Sequence, residues 1–278
     1  MPAAARTLPG RRIAITGAAR GIGYATAAAL HARGARVAIG DIDVDAAKRA
    51  ASRIGPDVAA FAIDVADQQS FATFLGDVKD TLGGLDVLVN NAGIMPIGPF
   101  LEMSPELVRR SVEINLLGAL NGTRLALPDM VAAGSGHVVN VASTAGRAAV
   151  PGGIAYCAAK AGVVSLTESA RLEFGGRGVR FTCVMPSFTN TELIAGTQGT
   201  RGIRNVEPAD VAEAIARAVE TGQRDVYAPR VLRPILFTQP LLGRRVRDFV
   251  NRRLGAYSTF LDIDHTKRDG YDQRISST

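Results

Sequence analysis

Cysteine and histidine are scarce. The 278 residues hold two cysteines, Cys157 and Cys183, and three histidines, His31, His137 and His265. Two cysteines cannot staple a chain of this length, so no disulfide framework is expected and both read as small buried hydrophobes. The histidines stand apart from one another and from the cysteines, which leaves no ligand set at metal spacing. Long uncharged apolar runs are also missing, and that excludes a membrane-spanning helix. The opening MPAAARTLPGRR has no apolar core for a signal peptide, so a cytoplasmic location is expected.

A general excess of positive charge is missing too. The net charge is +6, yet residues 1–228 carry 22 basic and 21 acidic side chains. Residues 229–257 carry seven arginines against Asp248 alone, and the last 21 residues carry three basic and four acidic groups. Basicity therefore belongs to one segment. No nucleic-acid partner is expected for the domain before it.

What is there is alternation. Short β-branched runs at 12–16, 35–40, 58–63, 86–90, 137–142, 179–184 and 225–228 predict strands. Ala-rich stretches between them predict helices, including one long helix over 105–133. The strands are nearly unbroken apolar runs, as strands covered on both faces must be. The expected fold is α/β: a doubly wound (Rossmann) parallel sheet of about seven strands with helices on both faces. It forms one domain over 1–228, followed by a basic amphipathic extension over 229–278.

The turn TGAARGIG after the first strand carries Gly17, Arg20, Gly21, Ile22 and Gly23. Gly17 lets the chain reverse without a Cβ clash. Gly21 and Gly23 let a ligand phosphate approach a helix N-terminus, although small residues also serve tight strand–helix packing. Asp41 ends the second strand, 18 residues beyond Gly23. A carboxylate there meets the ribose hydroxyls of NAD and repels a 2′-phosphate; its bland alternative is a helix cap. Arg20 argues the other way, for NADP. Asp41 decides for NAD, because an unpaired carboxylate against a phosphate costs more than the guanidinium recovers.

Tyr156 and Lys160 are four apart on a predicted helix and share one face. A free tyrosine titrates near pH 10, too high for a base at neutral pH. A lysine ammonium one turn away favours the phenolate, and a drop of about three units needs only about 4 kcal/mol. Ser143 follows the fifth strand, at the carboxyl edge where open sheets bind ligands.

These pieces, in this order and spacing, resemble the classical short-chain dehydrogenase/reductase family over about four-fifths of the chain: TGAARGIG, Asp64–Val65, NNAG at 90–93, Asn115, Ser143, YCAAK at 156–160, and Pro186 with Thr191. GVRFTCVMPSFTNTEL further resembles its retinol and 17β-hydroxysteroid branch. The resemblance implies Tyr156 as the acid/base at the substrate oxygen, Ser143 holding that oxygen, and Lys160 on the nicotinamide ribose. It implies Asn115 holding a water in a proton relay through Lys160. Asp64 and Val65 would flank adenine, Asn91 and Gly93 the ribose, and Thr189 and Thr191 the carboxamide and pyrophosphate. A homodimer or homotetramer through the two long helices is implied as well. One departure stands out: Ser187 follows Pro186 where the family usually has glycine. Its Cβ is expected to narrow the pocket or swing the loop.

On the substrate side Met95, Ile97, Val150, Ile154, Phe188, Leu193 and Ile194 are apolar, and no arginine is evidently placed to read a carboxylate. Together with Ser143 and Tyr156 they suit a lipophilic alcohol or ketone. The mixture of apolar residues and arginines over 229–257 suits peripheral contact with an anionic membrane, a pocket cap, or packing on a second subunit. An NADPH-dependent reductase and a non-catalytic NAD-binding scaffold remain as alternatives; the complete set Asn115, Ser143, Tyr156 and Lys160 speaks against the scaffold.

Overall fold

The apolar runs pair edge to edge into one seven-stranded sheet, with every neighbouring pair parallel. A computed structural model describes residues 7–197, 199, 204–238 and 259–277, with Gly243, Arg245, Asp248, Arg252 and Arg253 in the interval. The strands are β1 (Arg12–Thr16), β2 (Arg36–Asp41), β3 (Ala59–Ala62), β4 (Val87–Asn90), β5 (Gly136–Val141), β6 (Val179–Pro186) and β7 (Asp225–Ala228). Their order across the sheet is β3-β2-β1-β4-β5-β6-β7. The order reverses between β1 and β4, so the crevice for a ligand opens outside the carboxyl ends of those two strands.

Alternation along each strand assigns its two faces. Ile13, Ile15, Val37, Ile39, Val87 and Val89 pack against α1 (Gly21–His31), α2 (Val44–Ile54) and α7 (Pro208–Thr221). Ala14, Ala38, Leu88 and Val138 face the other way. There they meet Phe71 and Phe74 of α3 (Gln68–Leu82), and Met130 of α5 (Gly118–Ala132). Asp43 caps α2 by accepting from Ala46 N at 2.9 Å, and Asp67 caps α3 by accepting from Gln69 N at 2.8 Å. The cap of α2 is thus Asp43 and not Asp41.

The helix expected over 105–133 is not continuous. It runs as α4 (Pro105–Val112), one wide π-type turn (Glu113–Leu117), and then α5. Gly118 and Gly122 let α5 press onto the sheet edge, where a Cβ would lie 2.8 Å from Val65 Cγ2 and 2.2 Å from Asn90 Oδ1. The wide turn takes up the offset and carries Asn115 inward to 2% exposure. Single π turns of this kind recur at functional sites.

Beyond β7 lie α8 (Leu232–Thr238) and a C-terminal helix (His265–Ser277) that the sequence reading did not foresee. Tyr271 and Ile275 of that helix are buried with Ile94, and Phe260 just before it is buried with Met95, Ala145 and Tyr156. The far end of the 229–278 extension therefore packs on the domain. Most of the basic stretch, from 239 to 258, falls outside the described residues. No described helix is long and apolar enough to cross a membrane.

Candidate active site

The ends of β1 and β4 are riveted together beneath the crevice. Thr16 Oγ1 accepts from Asn91 N (3.1 Å) and Ala92 N (3.2 Å), while Asn91 Nδ2 donates to Thr16 O and Gly17 O, both at 2.9 Å. The side-chain amide of Asn91 is thus spent on the turn itself. The glycines divide their work. At Gly17, with φ +63°, a Cβ would lie 2.6 Å from Ala92 Cα, and at Gly23 it would lie 2.4 Å from Gly17 O. These two serve packing. At Gly21, with φ +57°, a Cβ would meet only the Thr191 side chain, 3.3 Å away at its nearest, so this is the position open to the cleft. No side chain caps α1, and an uncapped helix N-terminus favours an anion.

Asp41 Oδ2 accepts from Ala19 N at 3.0 Å and Asp41 Oδ1 from Asp43 N at 3.2 Å, which fixes the carboxylate beside the glycine turn. Arg20 pairs with Asp43 at 2.9 Å and lies 3.7 Å from Glu192. Two carboxylates already hold the guanidinium that argued for NADP. Asp64, Val65 and Gly93 line the same cleft, with Thr189 and Thr191 opposite.

β5 delivers Ser143, whose Oγ accepts from Ala145 N at 3.1 Å. Tyr156 and Lys160 share one buried face of α6 (Ile154–Phe174), at 7% and 4% exposure. Burial pushes the Tyr156 phenol well above its ordinary value, and the hydrogen bond with Ser143 offsets only part of that rise. Burial also lowers the Lys160 ammonium to about 8. Lys160 lies 5.8 Å from the Tyr156 ring centroid and donates to Val141 O at 2.8 Å. Asn115 Nδ2 donates to Ile94 O (2.7 Å) and Ser111 O (2.8 Å), leaving Oδ1 buried without a partner. A Cβ on Gly93 would come within 2.6 Å of that oxygen and 3.4 Å of Lys160 Nζ. Only glycine leaves the space between them open.

Met95, Val150 and Phe188 join Tyr156 in one apolar cluster, with Phe260 contributed from beyond the domain. The cleft measures about 1540 Å³ and is lined by the candidate residues named from the sequence except Gly23, Ile97 and Ile154, the last of which is exposed. Single-ligand pockets run to about 1,000 Å³, so this one has room for a dinucleotide and a second molecule. Ser187 N donates to Ala228 O at 2.8 Å, so the departure from glycine sits in regular pairing, with its hydroxyl buried and unpartnered. The sequence reading missed Phe260, Tyr271, Arg274 and Ile275 on the cleft wall, and Leu232 and Leu236 of α8.

The sequence profile described as short chain dehydrogenase matches residues 11–201. The chain belongs to the short-chain dehydrogenase family. A sorbitol dehydrogenase of Cereibacter sphaeroides is 40% identical over 186 residues, 66% of this chain and 73% of that protein. A cis-4-hydroxycyclohexanecarboxylate dehydrogenase of Sinomonas cyclohexanicum is 41% identical over 214 residues, 73% and 86% of the two chains. An estradiol 17-beta-dehydrogenase 11 of Rattus norvegicus is 28% identical over 260 residues, 91% and 87%. The last alignment is long enough to extend past β7 into the extension. This short-chain dehydrogenase is an oxidoreductase acting on CH–OH donors with a nicotinamide cofactor, NAD(H) or NADP(H).

Proposed function

We propose that the protein interconverts a lipophilic primary or secondary alcohol and its carbonyl compound with NAD(H). The observation that carries this reading is the substrate wall: Met95, Val150, Phe188 and Phe260 surround one polar edge, Ser143 and Tyr156. Polyols like those of the sugar-alcohol relatives need hydrogen-bond partners along such a wall. Of the polar side chains that the C-terminal helix brings to the wall, Tyr271 is engaged by Met95 N at 2.8 Å and Arg274 by Glu192. A carboxylate substrate finds no uncommitted guanidinium among the described residues of the cleft, since Arg20 and Arg274 are both paired.

Bound nicotinamide supplies or accepts the hydride. Tyr156 takes up or gives the proton at the substrate oxygen, and Ser143 holds the same oxygen by its hydroxyl. Asn115 Oδ1 is an acceptor for a water beside Lys160, and that water carries the proton onward to solvent. Gly21 and the uncapped start of α1 suit the pyrophosphate, and Asp41 suits the adenosine ribose.

Asp41 supports NAD over NADP, since its charge repels a 2′-phosphate and Arg20 is held elsewhere. Asp41→Asn keeps the bond from Ala19 N and removes the charge. The NAD-to-NADP ratio of kcat/KM then falls about 10- to 100-fold, the worth of one charged hydrogen bond. A wild-type preference for NADP would overturn the assignment.

Two partner readings accompany it. Val231, Ile235 and Phe237 are exposed beside Arg230 and Arg233 at the start of the basic segment, which suits an anionic membrane surface. The wild-type chain floats with anionic liposomes and the full-length variant Arg230→Glu, Arg233→Glu, Phe237→Ser does not; equal flotation would remove this reading. Leu120 on α5 and Leu172 on α6 are exposed, which supports self-association through those helices.

A further inference from the structure

Arg268 is the largest fully buried side chain among the described residues, at 0% exposure, and neither sequence motifs nor the acid/base chemistry calls for it. It sits on the C-terminal helix and reaches back into the cleft wall. Its NH1 donates to Leu193 O (2.8 Å) and Ala195 O (3.1 Å), and its NH2 to Met95 O. Asp272, one turn along, lies 3.0 Å from its Nε. Three backbone carbonyls on two separate loops are thus gathered by one guanidinium. Tyr271 adds a second tie, accepting from Met95 N at 2.8 Å, with the Arg268 guanidinium 4.7 Å from its ring centroid.

The same segment reaches the third substrate loop. A Cβ on Gly152 would lie 2.6 Å from Phe260 O, and the Phe260 ring packs against Phe188 at 5.6 Å between centroids. Asp264 N donates to Gly196 O at 2.9 Å. The loops carrying Met95, Val150 and Phe188 come from three different strand ends, and residues 259–277 touch all three.

We propose that Arg268, with Tyr271, is a positioning residue for substrate selection: it clasps the Met95 and Leu193–Ala195 loops and so sets the shape of the apolar pocket. The fork geometry matters. A guanidinium presents several donors in a fixed plane, whereas a lysine ammonium is a point charge that cannot reach three carbonyls on two loops. Burying a cation is costly unless it is paired, and here NH1 and NH2 are answered by substrate-loop backbone while Nε, which makes no hydrogen bond, has the Asp272 carboxylate 3.0 Å away. The proposal rests on the lipophilic-alcohol reading for its kinetic consequence, but the clasp itself can be read without turnover.

The test compares wild type with Arg268→Met, Arg268→Lys and Tyr271→Phe in the full chain. Hydrogen–deuterium exchange follows the peptides around Met95 and Leu193, calorimetry follows NAD binding, and kinetics follow a long-chain secondary alcohol. In Arg268→Met both loop peptides exchange faster, NAD affinity stays level, and KM rises about tenfold while kcat changes less than about twofold, the pattern of lost ground-state positioning. Arg268→Lys does not restore KM. Tyr271→Phe keeps the fold and shows a smaller shift confined to the Met95 peptide. Unchanged exchange at both loops would overturn the clasp, as would loss of NAD binding in step with KM, which marks a purely structural arginine. If the wild type turns over no lipophilic alcohol, the functional reading fails while loop exchange still decides the clasp.

Discussion

Tyr156→Phe lowers kcat by about 10²- to 10⁴-fold, the range that a positioned acid/base supplies. The substitution removes one oxygen from a buried ring and leaves its packing with Met95, Ala145 and Phe260 in place. The pocket that receives NAD is built largely by other residues, so NAD affinity is retained. Because burial holds the phenol above its ordinary value, alcohol oxidation, which needs the phenolate, speeds up as pH rises. Carbonyl reduction, which needs the phenol, slows over the same interval. A variant that keeps wild-type kcat within about threefold would remove Tyr156 from the chemistry.

The second large effect is on stability and runs against activity. Lys160 is pulled by burial from 10.5 to about 8 in the folded chain. Between those values the unfolded chain binds the proton and the folded chain does not, so stability rises with pH across that window. Below pH 8 the folded protein carries a buried ammonium at a cost of about 3 kcal/mol. Lys160→Met removes that charge and loses the charge-assisted bond to Val141 O, worth about 2 kcal/mol. The variant is therefore more stable at pH 7 by about 1 kcal/mol, and its advantage disappears before pH reaches 10.5. Its turnover falls at least about 100-fold, the usual loss when a preorganised polar group leaves a reaction site. Chemical denaturation of both proteins from pH 7 to pH 10 checks the sign; a less stable variant at pH 7 contradicts it.

Much of this was readable from residue order. β1 and β7 begin and end where apolar runs and turn residues place them, because strands buried on both faces leave little freedom for polar substitution. Ser143, Tyr156 and Lys160 could be named because their spacing is fixed by one strand end and one helix face. The π-type turn at Glu113–Leu117 was not readable. EINLL is an ordinary helical sequence, and the widening answers how Gly118 and Gly122 press on Val65 and Asn90. The C-terminal helix was missed for a different reason. Arg268, Tyr271 and Ile275 follow helical spacing along one buried face, but the residue buried deepest is an arginine, which hydrophobic periodicity does not count. The roles of the glycines also needed coordinates, since spacing cannot separate Gly21, open to the cleft, from Gly23, packed on Gly17 O.

The pocket's apolar wall is tested most directly by initial rates of NAD reduction with a homologous series of secondary alcohols, run beside sorbitol. Each methylene buried against residues such as Met95, Phe188 and Phe260 is worth about 0.8 kcal/mol, so kcat/KM climbs about fourfold per carbon until the pocket is full. Sorbitol is turned over far more slowly than the longer alcohols. A flat series, or sorbitol as the better substrate, would contradict a lipophilic alcohol as the molecule this cleft receives.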